Sequence, residues 1–214
     1  SQARILMNSL TKKFNDMFGR AAGIMSIDMV GEVNKASGIA VANSVKTMGE
    51  GLTVNSKIMS ADLHETVKAS IAQNAGLIKS IPQEYLAKVS GTVLRSVTSV
   101  QGLADILPVV KEYSGQTDRR AKNLALDQTR KAFNAINADR MRKVGVQKFK
   151  WIHSGGGLHP RRDHQEMDGM IFTLDNPPVI DSRTGERGLP GQAVNCRCTM
   201  VPVVEFDEVE EESL

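Results

Sequence analysis

The chain has 214 residues, room for one large domain or two small ones with a real core, and its 41% hydrophobic and 24% charged residues are ordinary for a soluble globular protein. Two cysteines exclude a disulfide framework, and the lack of a signal-peptide pattern or an 18-residue apolar run excludes export and a membrane span from the expectations. Aromatics are only 4%, so the core is expected to be aliphatic, with ten Met as adaptable filler; the net charge of +3 is unevenly spread.

From the N-terminus, residues 1–60 read as a helical arm. Ile5, Leu6, Leu10, Phe14, Met17 and Phe18 fall on one helix face, and Gly19 and Gly23 interrupt it. A second helical stretch runs from Ile27 to Val45, with a break at Met48-Gly49-Glu50-Gly51. Residues 61–145 form a further helical part. Ser60 before Ala61-Asp62-Leu63 predicts a helix start with an acid in the first turn. Leu63, Val67, Ile71 and Ile78 continue one face until Ile81-Pro82, where the helix is expected to stop, because the residue before proline avoids the helical region. A new helix is predicted from Gln83, carried by Leu86, Val89, Val93, Val97 and Val100. Gln101-Gly102 turns into a segment from Leu103 to Tyr113, closed by Ser114-Gly115-Gln116.

Thr117 then reads as an N-cap, with Asp118 at the positive end of the helix dipole. The helix to Lys143 carries Leu126, Thr129, Phe133, Ile136 and Arg140 on one stripe, with Gly145 as its C-terminal stop. After Gly145 the period changes to two. Phe149, Trp151 and His153 share one face of a strand that ends at Ser154-Gly155-Gly156-Gly157. Asp168-Gly169 makes a turn, Met170–Leu174 and Thr199–Val204 are two more strands, and Pro177–Gln192 is a long loop. Residues 146–204 thus form a small β module with long loops, and the acidic residues 205–214 a disordered tail. The predicted fold class is α+β: long amphipathic helices over the first two-thirds, then a small antiparallel β module.

The ordered set of signals in the later part resembles the phage Mu F-like head morphogenesis family, the minor head proteins of tailed phages. The resemblance is carried by Leu77-Ile78-Lys79-Ser80-Ile81-Pro82, Arg119-Arg120-Ala121, Asp127-Gln128-Thr129-Arg130-Lys131, Phe149-Lys150-Trp151-Ile152-His153-Ser154, Arg161-x-x-His164, Asp168-Gly169, Pro177-Pro178 and Asn195-Cys196-Arg197-Cys198. It implies a virion component in the capsid interior near the portal, made in the host cytoplasm during assembly. The implied partners are the portal protein, the major capsid protein and the packaged DNA, and the implied role is in head assembly or DNA packaging and ejection, without enzymatic activity. Some members carry a fused toxin domain; since this chain ends soon after the motif, none is expected here.

Cys196 and Cys198 point to the same face of an extended segment. A disulfide between them would be strained, so reduced thiols are expected. With His164 they offer three of the four ligands of a tetrahedral zinc, and His159 or His153 the fourth. The alternative is a pair of buried thiols packed near a hydrogen-bonded His164. The family pattern differs at two ligand positions: many members have a Cys-x-x-Cys where this chain has Arg161-x-x-His164, and a His where it has Ala193. Arg161 and Arg197 are expected to tie loops to Asp163, Asp168 or a backbone carbonyl. Trp151 is expected in the core.

Between Asp118 and Arg162 stand twelve Lys/Arg and three Asp. Arg119, Arg120, Lys122, Arg130 and Lys131 are candidates for DNA contact, with a solvated helix face as the other reading. The competing function is a metal-dependent nuclease or hydrolase, for which the His/Cys/Asp clustering speaks. The soft ligands and the lack of paired carboxylates speak against it. A general DNA-binding module lacks any recognised DNA-reading signature.

Overall fold

The computed structural model describes residues 2–48, 60–98, 106–156 and 159–204. The fold is α+β. Three long helices, α1 (Gln2–Met48), α2 (Ala61–Thr98) and α3 (Ile106–Lys143), precede β1 (Lys148–Ile152), the short α4 (Arg162–Glu166), β2 (Ile171–Thr173), β3 (Val179–Asp181), β4 (Glu186–Arg187) and β5 (Thr199–Val203). The break expected around Gly49, the turn at Gln101-Gly102 and the acidic tail lie outside the described residues.

The helices are longer than local signals predict. α1 passes through Gly19 and Gly23, since a helical glycine costs only about 1 kcal/mol, too little to break a helix of 47 residues. α2 begins at its expected cap, with Ser60 Oγ accepting from the Leu63 N–H at 3.2 Å. It then runs through Pro82 without stopping. Pro82 is itself buried, as is Leu86 one turn on, so packing offsets the missing backbone donor. α3 is likewise continuous across Ser114-Gly115-Gln116. Thr117 is not an N-cap: its hydroxyl donates back to the Tyr113 carbonyl at 2.7 Å, inside the helix. On the predicted α3 stripe, Ile136 and Arg140 are buried, but Leu126 faces out at 51% exposure.

The described residues divide into two compact units, those within 1–33 and 65–129, and those within 34–64 and 130–214. In the first, Ala22, Ser26 and Val30 of α1 are fully buried, and Thr129 donates to the Met29 sulfur at 3.4 Å. Arg120 of α3 pairs with Glu84 of α2, and Lys88 lies 5.6 Å from the Tyr113 ring.

The second unit holds the main apolar cluster. Val41 and Val45 of α1 and Ala138 and Met141 of α3 pack with Val146, Phe149, Trp151, Met167, Leu174, Ile180, Leu189, Cys196, Cys198 and Met200. α3 stops as its sequence requires. Gly145 takes φ +79°, its N–H donates to Arg142, and the Val146 N–H reaches back to Met141 at 2.9 Å. This is a Schellman cap, and Met141 and Val146 supply its apolar contact. It delivers the chain into β1 with Phe149 and Trp151 inward, both fully buried.

The sheet is antiparallel, in the order β2-β1-β5, with Phe149 opposite Phe172 and Pro202, and Trp151 opposite Met200. The predicted loop from Pro177 to Gln192 contains the β3–β4 hairpin, closed by the Gly185 N–H on the Asp181 carbonyl at 2.9 Å. Short strands without alternating apolar residues leave little periodic signal. Gly191 allows the chain to pass close to α3: a Cβ there would lie 2.4 Å from Asn134 Nδ2, and its φ is +83°.

Candidate functional site

The site is built where three short pieces of the second unit converge on Trp151. The segment before β5 alternates: Cys196 and Cys198 are buried and Arg197 is exposed. A turn with Asn195 at φ +57° and the Cys196 N–H on the Ala193 carbonyl leads into it, and asparagine is among the few residues that tolerate that backbone. Both thiols are free. The carbonyl of Cys198 accepts from Asn134 of α3 at 3.4 Å, and Asn134 in turn accepts from Thr199.

His164 arrives on α4. Arg161, just before this helix, donates to the Val194 carbonyl at 3.0 Å, so it joins the start of α4 to the turn leading into Cys196. Asp163 accepts from the Ser182 N–H at 3.1 Å, and His164 Nε2 meets the Ile180 carbonyl at 3.0 Å. Two adjacent residues thereby dock α4 on β3. The Trp151 ring meets the imidazole edge-on, with centroids 5.3 Å apart at 76°.

A carbonyl can only accept, so His164 Nε2 carries a proton and Nδ1 faces the thiols. Nδ1 lies 3.3 Å from Cys196 Sγ and 3.6 Å from Cys198 Sγ. The ligand atoms of His164, Cys196 and Cys198 all fall within 4.8 Å of one another. The Cys198 N–H also points at Cys196 Sγ, at 3.4 Å.

The charges follow this geometry. Hydrogen bonding from the Cys198 thiol, and then from His164, holds the Cys196 thiol well below the usual range. The Cys198 thiol is pushed up, first because it donates to Cys196 and then by burial. His164 is raised by its hydrogen bond to Cys196, against the opposing effect of burial. The pair of sulfurs thus gives up its first proton from Cys196 and keeps the other on Cys198. The indole N–H of Trp151 is fully buried, and its approach to Cys198 lowers that thiol against the larger effects of Cys196 and burial.

A cavity of about 200 Å³ opens over the three ligand atoms, lined by His153, His159, Arg161 and Arg197 among others. The structure therefore brings His164, Cys196 and Cys198 together and leaves both candidate fourth ligands out of the cluster. His159 is exposed. His153 Nδ1 accepts from the Gly155 N–H at 3.1 Å, and the His153 backbone N–H donates to Asp168 Oδ1 at 2.8 Å. Asp168 and Gly169 form the expected turn, with the Gly169 N–H on the Trp151 carbonyl. Arg161 ties a loop through a backbone carbonyl, as expected; Arg197 is exposed and lies against Gly156.

Sequence reasoning missed α4, the Ser182 N–H as the donor to Asp163, the acceptor role of Ile180, and the Asn134 anchor. Only Asp163 carried a usable signal, an acid in the first turn beside His164. Of the basic candidates, Arg119 is exposed, Arg120 and Lys122 are paired with Glu84 and Asp118, and Arg130 and Lys131 are half-buried.

A long helical arm followed in the chain by a small β module that closes on a His/Cys latch defines the class: an α+β protein. The family model described as "Phage Mu protein F like protein" matches residues 87–201, more than half the chain and all of the latch, and the chain belongs to that family. It is 34% identical over 149 residues to a Haemophilus influenzae protein named only as uncharacterized, covering 70% of this chain and 32% of that one. It is 26% identical over 130 residues to the NAD(+)–arginine ADP-ribosyltransferase EFV of Enterococcus faecalis, covering 57% of this chain and 26% of the enzyme. The chain thus spans about a third or less of the length of these relatives. No solved structure matches it. Among the described residues, no helix is long and apolar enough to cross a membrane.

Proposed function

We propose that the chain is a minor head protein: a structural and interaction component of the virion, without catalytic activity, that associates with the portal and the major capsid protein in the capsid interior and assists head assembly or DNA packaging and ejection. The observation that carries this reading is the family match over residues 87–201, which takes in the end of α2, all of α3 and the β module through the cysteines. The physical character of the helices supports it. α1 presents Ile5, Leu6, Phe14, Met17 and Ile24 to solvent at 38–70% exposure, an apolar area of the kind that subunit packing covers. The latch, with Asn134 behind it and two tethers to β3, serves in this reading to make the β module a rigid unit that keeps one shape through assembly.

The test is reconstitution. The chain is co-expressed with the portal and major capsid proteins of the phage genome that encodes it, and assembled heads are purified and counted by mass spectrometry and electron microscopy. The expected result is a fixed, low copy number in the heads, with density against the portal, and a lower yield of normal heads when the chain is omitted. Heads that assemble at full yield and never contain the chain would overturn the proposal.

A further inference from the structure

The geometry points to a zinc site made of three protein ligands, His164 Nδ1, Cys196 Sγ and Cys198 Sγ, whose fourth corner opens into the cavity beside Arg161 and Arg197 and is taken by water. The spacing fits the ion. With Zn–S near 2.3 Å and Zn–N near 2.0–2.1 Å, a tetrahedral centre sets its N and S ligands about 3.6 Å apart. The two N···S distances are 3.3 and 3.6 Å, and all three ligand atoms lie within 4.8 Å of one another.

The surroundings fit as well. A ligating imidazole usually donates its other N–H to a carbonyl or carboxylate, which fixes the tautomer and aims the lone pair at the metal. His164 does this through Nε2 to Ile180 at 3.0 Å. Thiolate ligands are steadied by N–H donors, and Cys196 has one in the Cys198 amide at 3.4 Å. The buried indole N–H of Trp151 lies beside Cys198 and has no other acceptor. A metal-bound thiolate at Cys198 would offer that donor an anionic sulfur in place of a neutral thiol.

The set closes at three ligands for reasons specific to this chain. Arg161 is committed to the Val194 carbonyl and cannot ligate, and Ala193 has no donor atom. His153 spends Nδ1 on Gly155, and His159 is exposed. Two thiolates neutralise the zinc charge, and the cavity mouth adds two guanidinium groups and, among the described residues, no carboxylate. That lining favours water or a small anion at the fourth corner over a cation or an apolar group.

The experiment uses the whole chain, purified without chelator and kept reduced, with zinc counted by elemental analysis and the site then reloaded with cobalt(II). One zinc per chain is expected, with sulfur-to-cobalt charge-transfer absorption and the intense visible bands of a four-coordinate site. Added thiocyanate should shift those visible bands by replacing the water. Cys196→Ser or Cys198→Ser should lower the zinc content at least tenfold, while His159→Ala and His153→Ala leave it at one per chain. Because a cysteine variant can fail to fold, the cobalt spectrum of the unmodified chain stands as an independent readout. A reduced wild-type chain that retains no zinc and gives no charge-transfer band overturns the site. Loss of metal in His159→Ala or His153→Ala, or bands that thiocyanate leaves unmoved, overturns the open fourth corner.

Discussion

Asn134 grips the Cys198 carbonyl through its side-chain amide at 3.4 Å while its own oxygen accepts from the Thr199 hydroxyl, so one buried residue of α3 holds the chain where the latch becomes β5. The same amide also donates to the Arg130 carbonyl at 3.1 Å within its helix. Asn134 is 2% exposed. Asn134→Ala leaves the buried Cys198 carbonyl and the half-buried Thr199 hydroxyl short of partners, at a cost of about 1–3 kcal/mol. The expected readout is a lower urea midpoint with an unchanged slope, since the compactness of neither state changes. A midpoint equal to wild type would mean that the latch does not lean on α3.

Gly191 and Asn134 are coupled by their closeness. A Cβ at residue 191 would stand 2.4 Å from Asn134 Nδ2, and the residue also sits at φ +83°. Gly191→Ala therefore carries two penalties: backbone strain of about 1 kcal/mol and a clash that either shifts the loop or displaces the amide. Removing the amide removes the clash. The double variant Asn134→Ala/Gly191→Ala should then lose less stability than the sum of the two single variants, by roughly 0.5–3 kcal/mol in a thermodynamic cycle. Strict additivity would show that the backbone angle alone makes alanine costly there.

These two residues also mark where the sequence stops being readable. The end of α3, β1 and the inward pair Phe149 and Trp151 were legible because each is written in neighbouring residues: a glycine stop, then alternation. The convergence of His164 with the cysteines was legible from residue type and the two-residue period. By contrast, Pro82 and Thr117 carry local signals that long-range packing overrides. α4 and the β3–β4 hairpin were not legible. Their positions depend on Asp163 reaching Ser182, and His164 reaching Ile180, contacts 19 and 16 residues apart in the chain. Asn134 bonds Cys198 across 64 residues, and nothing near Asn134 announces it.

The hairpin turn that follows Ile180 carries a pH dependence of known sign. The Arg183 guanidinium, hydrogen-bonded to Asp181 at 2.8 and 3.1 Å, together with the Arg183 backbone N–H, holds the Asp181 carboxyl at about 2. Its pKa is lower folded than unfolded, so the ionised form contributes to the fold in full above the ordinary carboxylate range and loses that contribution as pH falls from about 4 to about 2. The pair is solvent-accessible, which keeps the contribution small and salt-sensitive. Amide exchange at Gly185, whose N–H closes the turn on Asp181, should speed up over that interval. Asp181→Asn should flatten the pH dependence at that amide, and a profile unchanged by this substitution would assign the effect to another carboxyl.

The basic face of α3 makes a graded prediction about DNA. Counterion release makes binding fall with salt in proportion to the phosphates neutralised. A cation already paired with a carboxylate has less to offer a phosphate. Arg120 is paired with Glu84 and Lys122 with Asp118, while Arg119 is exposed and no ion pair joins it to a described residue. If the helix meets the packaged genome, Arg119→Ala should reduce the slope of log affinity against log salt by about 1, and Lys122→Ala by less. Fluorescence anisotropy with a short duplex across a salt series measures both slopes. Binding that ignores salt, or is missing even at low ionic strength, would remove DNA from the partners and leave α3 as a solvated face that meets protein alone.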